Sequence, residues 1–312
     1  MKSARQPSAP PVIRSGSGLV RQRRQIIRHI ATSYDGPVIV AAEYERHVQT
    51  WNIVHQKRIG EFETTLDGGG QRLAVSHDGR RFAVGAWEDH GIALYDAENG
   101  IEIWRRKDLN QVQVVRISED DRCVQCEFEN SPHQTLSLST GQTLGAFRGV
   151  ADFWESRYDS VVVFEESERD YRLMNEENEL IANLPRQTFA CLDFAFAPQK
   201  FCISESTGAI RCFNVTNGVQ LWRYDPGNGS HAIGLTYNEL ADEVAAIVWS
   251  YEEGGPCYLK TFDADNGRVK ATLNVGQPHE LAFCCAGSLL VTSDGKLRET
   301  ATGDDCGMLK FF

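Results

Sequence analysis

No apolar run in these 312 residues approaches the roughly 18 needed to cross a bilayer as a helix. The longest, Val161–Phe164 and Val244–Trp249, fit single buried strands. Long helical patterns are also missing, and with them any H-E-x-x-H metal helix. There is no Gly-x-x-x-x-Gly-Lys phosphate loop and no G-x-S-x-G elbow. Asp67-Gly68-Gly69-Gly70 is Gly-rich, but no Lys or helical pattern follows it, so it reads as a linker. Acidic residues are absent from Met1 to Tyr34, where seven basic residues occur: Lys2, Arg5, Arg14, Arg21, Arg23, Arg24 and Arg28. No apolar core follows Lys2, which argues against a secretory leader and for a cytoplasmic protein.

The chain carries a net −11, and residues 1–34 account for +7, so residues 35–312 carry −18. A body of that charge repels nucleic acid and attracts cationic partners. Residues 1–20, rich in Pro and Ser, read as a disordered basic arm, and 21–312 as one folded unit. Nine cysteines, an odd number, are scattered through strand patterns, as in a reduced compartment where Cys serves as a small buried hydrophobe. Cys123 and Cys126 match C-x-x-C, but residues three apart in a strand point to opposite faces. No metal, cofactor or catalytic group is therefore assigned.

What is present is a repeat. A strand pattern ends in a large residue and then a turn former at Trp51-Asn52, Tyr95-Asp96, Leu138-Ser139, Met174-Asn175, Phe213-Asn214, Phe262-Asp263 and Ala301-Thr302. The steps recur every 36 to 49 residues. A period near 40 built from strands and turns predicts a β-propeller. The fold class is all-β, with seven blades of four antiparallel strands. The first strand is predicted over Gln25–Ile30, and the fourth blade, from Val150 to Leu184, is the least regular. Asn-Gly turns at Asn99-Gly100, Asn217-Gly218 and Asn266-Gly267 open the outermost strands.

The rhythm of Asp or Asn, turn and Gly resembles the WD40-like propellers, with most Gly-His and Trp-Asp marks eroded. Asp96-Ala97-Glu98-Asn99-Gly100-Ile101-Glu102-Ile103-Trp104 and Val215-Thr216-Asn217-Gly218-Val219-Gln220-Leu221-Trp222 also resemble repeats of pyrroloquinoline-quinone propellers. That resemblance implies that Trp104 and Trp222 dock one blade on the next. It carries no catalytic residue across.

In such a ring the loops between second and third strands share a rim with the inter-blade loops. All seven second-to-third loops contain a carboxylate, and several hold or adjoin an aromatic residue. The residues singled out as a partner-binding face are Tyr44, Trp87, Glu88, Asp89, Glu165, Glu166, Trp249, Tyr251 and Glu252. The opposite rim is acidic through Asp in turns, where turn geometry itself favours Asp. Turn geometry asks for neither Glu nor Trp. The reading is a monomeric, non-catalytic protein-binding ring for a basic protein, such as an immunity-type inhibitor of a toxin, with no nucleic acid or membrane partner. The alternative is a hydrolase or lyase with its site in the central channel, where Arg116 and Asp193 stand out on innermost strands.

Overall fold

The computed structural model describes residues 29–311, apart from 43–44, 68–71, 88–89, 119, 129–130, 148–149, 156–159, 166–169, 176–178, 186–190, 206–207, 228, 251–254 and 277–280. For most of blade four only the backbone is described. Twenty-eight strands form seven four-stranded antiparallel sheets, each with its strands in sequence order. The blades span residues 29–67, 73–106, 112–147, 150–185, 191–224, 230–276 and 281–308. No helix occurs among the described residues. The ring is the all-β, seven-bladed propeller the repeat predicts, and blade four is a complete sheet. Within blade one, the first strand is His29–Thr32. The predicted strand overlaps it, with its first four residues and the basic arm outside the described residues.

Blades one, two and three meet face to face, as do blades five, six, seven and one, so buried residues occur on both faces of their middle strands. Val38–Ala42, the second strand of blade one, is buried at every position. Packing of this kind needs apolar residues in runs rather than strict alternation. Blade seven consists wholly of the last strands, so no strand is shared between the chain ends. Side chains close the ring instead. Ile39, Trp51 and Ile53 pack with Cys284, Val291, Leu297 and Leu309 in one buried cluster. Phe311 meets the Trp51 ring edge-on at 5.8 Å. Gln56 donates to the Cys306 carbonyl at 2.9 Å, and Thr32 donates to the Phe283 carbonyl.

The repeat has a definite physical basis. In every blade the pairing of third and fourth strands shifts by one residue near the connecting turn. In blades two, five and six a carboxylate or amide oxygen caps that turn: Asp96 accepts from Glu98 and Asn99, Asn214 from Thr216, and Asp263 from Asp265 and Asn266. The glycine that follows adopts φ near +68 at Gly100, and +69 at Gly218 and Gly267. A turn followed by a left-handed residue and a bulge suits Asp or Asn first and Gly last. In blade three the equivalent step is Leu136-Ser137, because Gly141 N–H closes on the Ser137 carbonyl at 2.8 Å. In blade seven it is Arg298-Glu299, where Gly303 N–H closes on Glu299. The steps predicted at Leu138 and Ala301 are thus corrected by two and three residues; both of those residues lie inside the turn.

These glycines also explain how the blades dock. A Cβ on Gly100 would fall 2.2 Å from Phe62, on Gly141 2.8 Å from Trp104, and on Gly267 2.5 Å from Trp222. A large outer-strand side chain of one blade therefore sits on the turn glycine of the next. Trp104 donates to the Leu138 carbonyl at 2.8 Å, and Trp222 to the Ala264 carbonyl at 3.0 Å. The docking role predicted for both tryptophans is what the packing shows.

Candidate partner-binding rim

Because every blade runs in sequence order, its second-to-third loop lies at the opposite end from the other two hairpin turns. The inter-blade connections lie with it. Contacts across blades confirm that these segments are neighbours. Arg46, entering the third strand of blade one, contacts His90 in the corresponding loop of blade two at 2.9 Å. Arg72, in the connection before blade two, lays its guanidinium 5.0 Å from the Trp87 ring centre. Neither cation was foreseen from the sequence.

Of the nine predicted face residues, Tyr44, Glu88, Asp89, Glu166, Tyr251 and Glu252 lie outside the described residues. Glu165 ends the second strand of blade four, with its backbone alone described. Trp87 is half-buried, with one face under Arg72. Trp249 ends the buried second strand of blade six and is 45 % exposed. The continuous burial that runs from Glu243 to Val248 ends there.

Other rim carboxylates counted in the sequence are neutralised within the ring. Glu205 is fully buried and pairs with Arg211, itself 1 % exposed, whose guanidinium lies 5.1 Å from the Phe213 ring centre. Glu127 pairs with Arg116 across the two inner strands of blade three. Asp294 pairs with Lys296 at 2.7 Å. Burial works against the Asp294 charge, but Lys296 and the Thr292 hydroxyl outweigh it and hold the carboxyl below its ordinary range. Blades three, five and seven therefore present less negative charge on this rim than their sequences suggest. Arg211, polar within the apolar run Ile210–Phe213, was the sequence signal for the buried pair.

The other rim shows why its Asp residues are there. Asp78 accepts from Ser76 at 2.7 Å and from Arg80 N–H at 2.8 Å, and Asp120 does the same for Ser118 and Arg122. Asp121 reaches back to the preceding blade and accepts from His77 and Asp78 N–H at 2.7 and 3.0 Å. Burial raises the Asp121 pKa, but the His77 side chain and the two backbone donors together lower it below the usual carboxylate range. These groups serve turns and blade junctions.

In the channel, Arg116 on the innermost strand is held in its pair with Glu127. The Asp193 side chain lies outside the described residues. Among the described residues no group of three or more His, Cys, Asp or Glu side chains is arranged to hold a metal ion.

No protein-family profile matches the chain, and no curated protein sequence is similar to it. Solved structures are similar in fold. The β-propeller domain of Myceliophteria thermophila Cps50 (Swd1) superposes with a TM-score of 0.66 at 10% identity, covering 90% of this chain and 95% of that one. The computationally designed Ika8 protein gives 0.62 at 16% identity, over 92% and 87% of the two chains. The dihydro-heme d1 dehydrogenase NirN gives 0.60 at 15% identity, over 91% of this chain and 66% of that one. At these identities the likeness is one of fold. It agrees with the resemblance to WD40-like and quinoprotein-like propellers read from the repeats.

Proposed function

We propose that this ring is a non-catalytic protein-binding module that engages a basic protein through its second-to-third-strand rim. The observation that carries the reading is Trp249. A tryptophan 45 % exposed near the rim end of an otherwise buried strand offers part of its indole to a partner. Exposed tryptophans of this kind are the anchors that dominate protein interfaces. Around it the sequence places Tyr251, Glu252 and Glu253 in the same loop, and Tyr44, Trp87, Glu88, Asp89, Glu165 and Glu166 in equivalent loops. The −18 borne by residues 35–312 favours a cationic partner and speeds encounter with it. A cationic toxin, such as a nuclease, is the specific partner class this charge suits, with the ring as its immunity-type inhibitor. The internal pairing of Glu127, Glu205 and Asp294 takes those three carboxylates out of the charge available to a partner.

The test is affinity capture on the full chain at low and high salt, followed by binding kinetics with the retained protein. The reading expects a cationic partner whose association slows as salt rises, and whose dissociation speeds at least ~10-fold with Trp249→Ala. An acidic partner, or one indifferent to both salt and Trp249→Ala, overturns it.

A further inference from the structure

Cys284 and Cys285 are adjacent, and the structure places them in unequal surroundings at the seam where the ring closes. Cys284 ends the first strand of blade seven and is fully buried. Cys285 opens the following turn and is partly exposed. Its thiol lies 4.0 Å from the Gly36 carbonyl of blade one. The turn is conformationally unusual: Cys285 and Ala286 both have φ of +52. Left-handed backbone is costly for residues with a Cβ and is cheapest for Gly or Asn. The strain is held by Ala286 N–H donating to the Tyr34 carbonyl, and by Ser288 N–H and Oγ donating to the Cys285 carbonyl at 3.0 and 2.6 Å. The Cys284 thiol donates to the Leu289 carbonyl at 3.6 Å; the neighbouring Cys284 thiol holds the Cys285 pKa below its ordinary value, and Cys285 together with burial raises that of Cys284. Cys285 is thus an accessible nucleophile with a second thiol beside it.

Cys202, Cys212 and Cys306 lack one or both of these properties. Cys202 and Cys212 face each other across strands of blade five, but both are buried, and desolvation raises the Cys202 pKa. Cys306 is exposed, but burial of its thiol and nearby carboxylates raise its pKa.

We propose that Cys284 and Cys285 form a redox-modification site that reacts reversibly with hydroperoxides. The Cys285 thiolate attacks the outer peroxide oxygen. The O–O bond breaks, the second oxygen leaves as water or an alcohol, and Cys285 becomes a sulfenic acid. The Cys284 sulfur then attacks the Cys285 sulfur. The S–O bond breaks, water leaves with the Cys284 proton, and a disulfide remains. Two electrons pass from the two sulfurs to the peroxide. Neighbouring Cα atoms lie about 3.8 Å apart, closer than disulfides usually bridge, so the product is strained and readily reduced by a thiol.

The site is independent of the partner-binding reading, since it lies on the opposite rim and its readout is chemical. The test uses the full reduced chain, limiting hydrogen peroxide and peptide mass mapping. The peptide holding both residues should lose about 2 Da, and dithiothreitol should restore it. Its oxidation should outpace that of Cys306 by at least ~10-fold. Cys284→Ala should leave a dimedone-reactive sulfenic acid on Cys285. In the unaltered chain, oxidation at Cys306 as fast as at Cys285, or a Cys285 that goes on to sulfinic acid without forming the disulfide, would overturn the proposal whatever the variant does.

Discussion

Trp222→Ala removes the side chain that fastens blade five to blade six. The indole is 6 % exposed, stacks on Phe262 with ring centres 6.0 Å apart, and donates to the Ala264 carbonyl. It also covers the Gly267 turn. Losing a buried Trp side chain costs about 3–5 kcal/mol, and the carbonyl left without its donor adds to that. We expect about 4 kcal/mol, a large share of the stability of an ordinary domain. Trp222→Phe keeps one ring over Gly267 and Phe262 and loses the donor and part of the indole volume, so it should cost about 2 kcal/mol. Trp104→Ala should fall near 2 kcal/mol, because Trp104 is only half-buried. Urea denaturation followed by far-ultraviolet circular dichroism measures all three. A Trp222→Ala loss below about 1 kcal/mol, or a Phe variant as damaged as the Ala variant, would refute the docking argument.

Gly267→Ala combines a left-handed φ of +69 with a Cβ 2.5 Å from Trp222 and should cost about 3 kcal/mol; Gly227→Ala, at φ +88 in open space, should cost about 1, and equal thermal shifts would contradict this. Glu205→Ala leaves Arg211 charged and buried, so a loss of about 3–5 kcal/mol is expected, whereas the paired change Glu205→Leu with Arg211→Met should recover most of it in the same denaturation assay. Asp121→Asn tests the junction of blades two and three. Its folded pKa is depressed, so the charged form stabilises the ring above the ordinary carboxylate pKa near 4, and that stabilisation fades as pH falls through the folded value. The variant should be about 1 kcal/mol weaker at neutral pH, and the gap should narrow as pH falls below about 4 towards the folded value; a gap that widens on acidification would be wrong in sign.

The fold was legible because its local chemistry repeats. Each outer hairpin needs a bulge and a left-handed residue, and the Asp or Asn and Gly that supply them survive in blades two, five and six. Blade three was misplaced because Leu136-Ser137 is followed at once by a second Leu-Ser step, and blade seven because Glu299, whose carbonyl closes the turn, does not mark a turn by itself. The rim was only partly legible. Counting carboxylates in loops cannot show which are spent on internal cations, and Arg116, Arg211 and Lys296 lie on neighbouring strands or turns. Arg72 over Trp87 joins segments 15 residues apart in sequence, a contact no local pattern encodes. Trp249 was named for its place in the repeat, and its exposure came only from the end of the strand.

One comparison of the two rims tests which of them binds the partner. Charge reversal at Glu88, Glu165 and Glu252 on the second-to-third-strand rim is set against reversal at Glu98, Asp265 and Asp304 on the other. Net charge changes equally in the two variants, so a general field effect moves both alike. With the captured basic partner, the first variant should lower the association rate by at least ~10-fold at low salt, and the second by less than ~3-fold. Equal slowing by both variants, or a greater effect from the second, would contradict the assignment of the binding face.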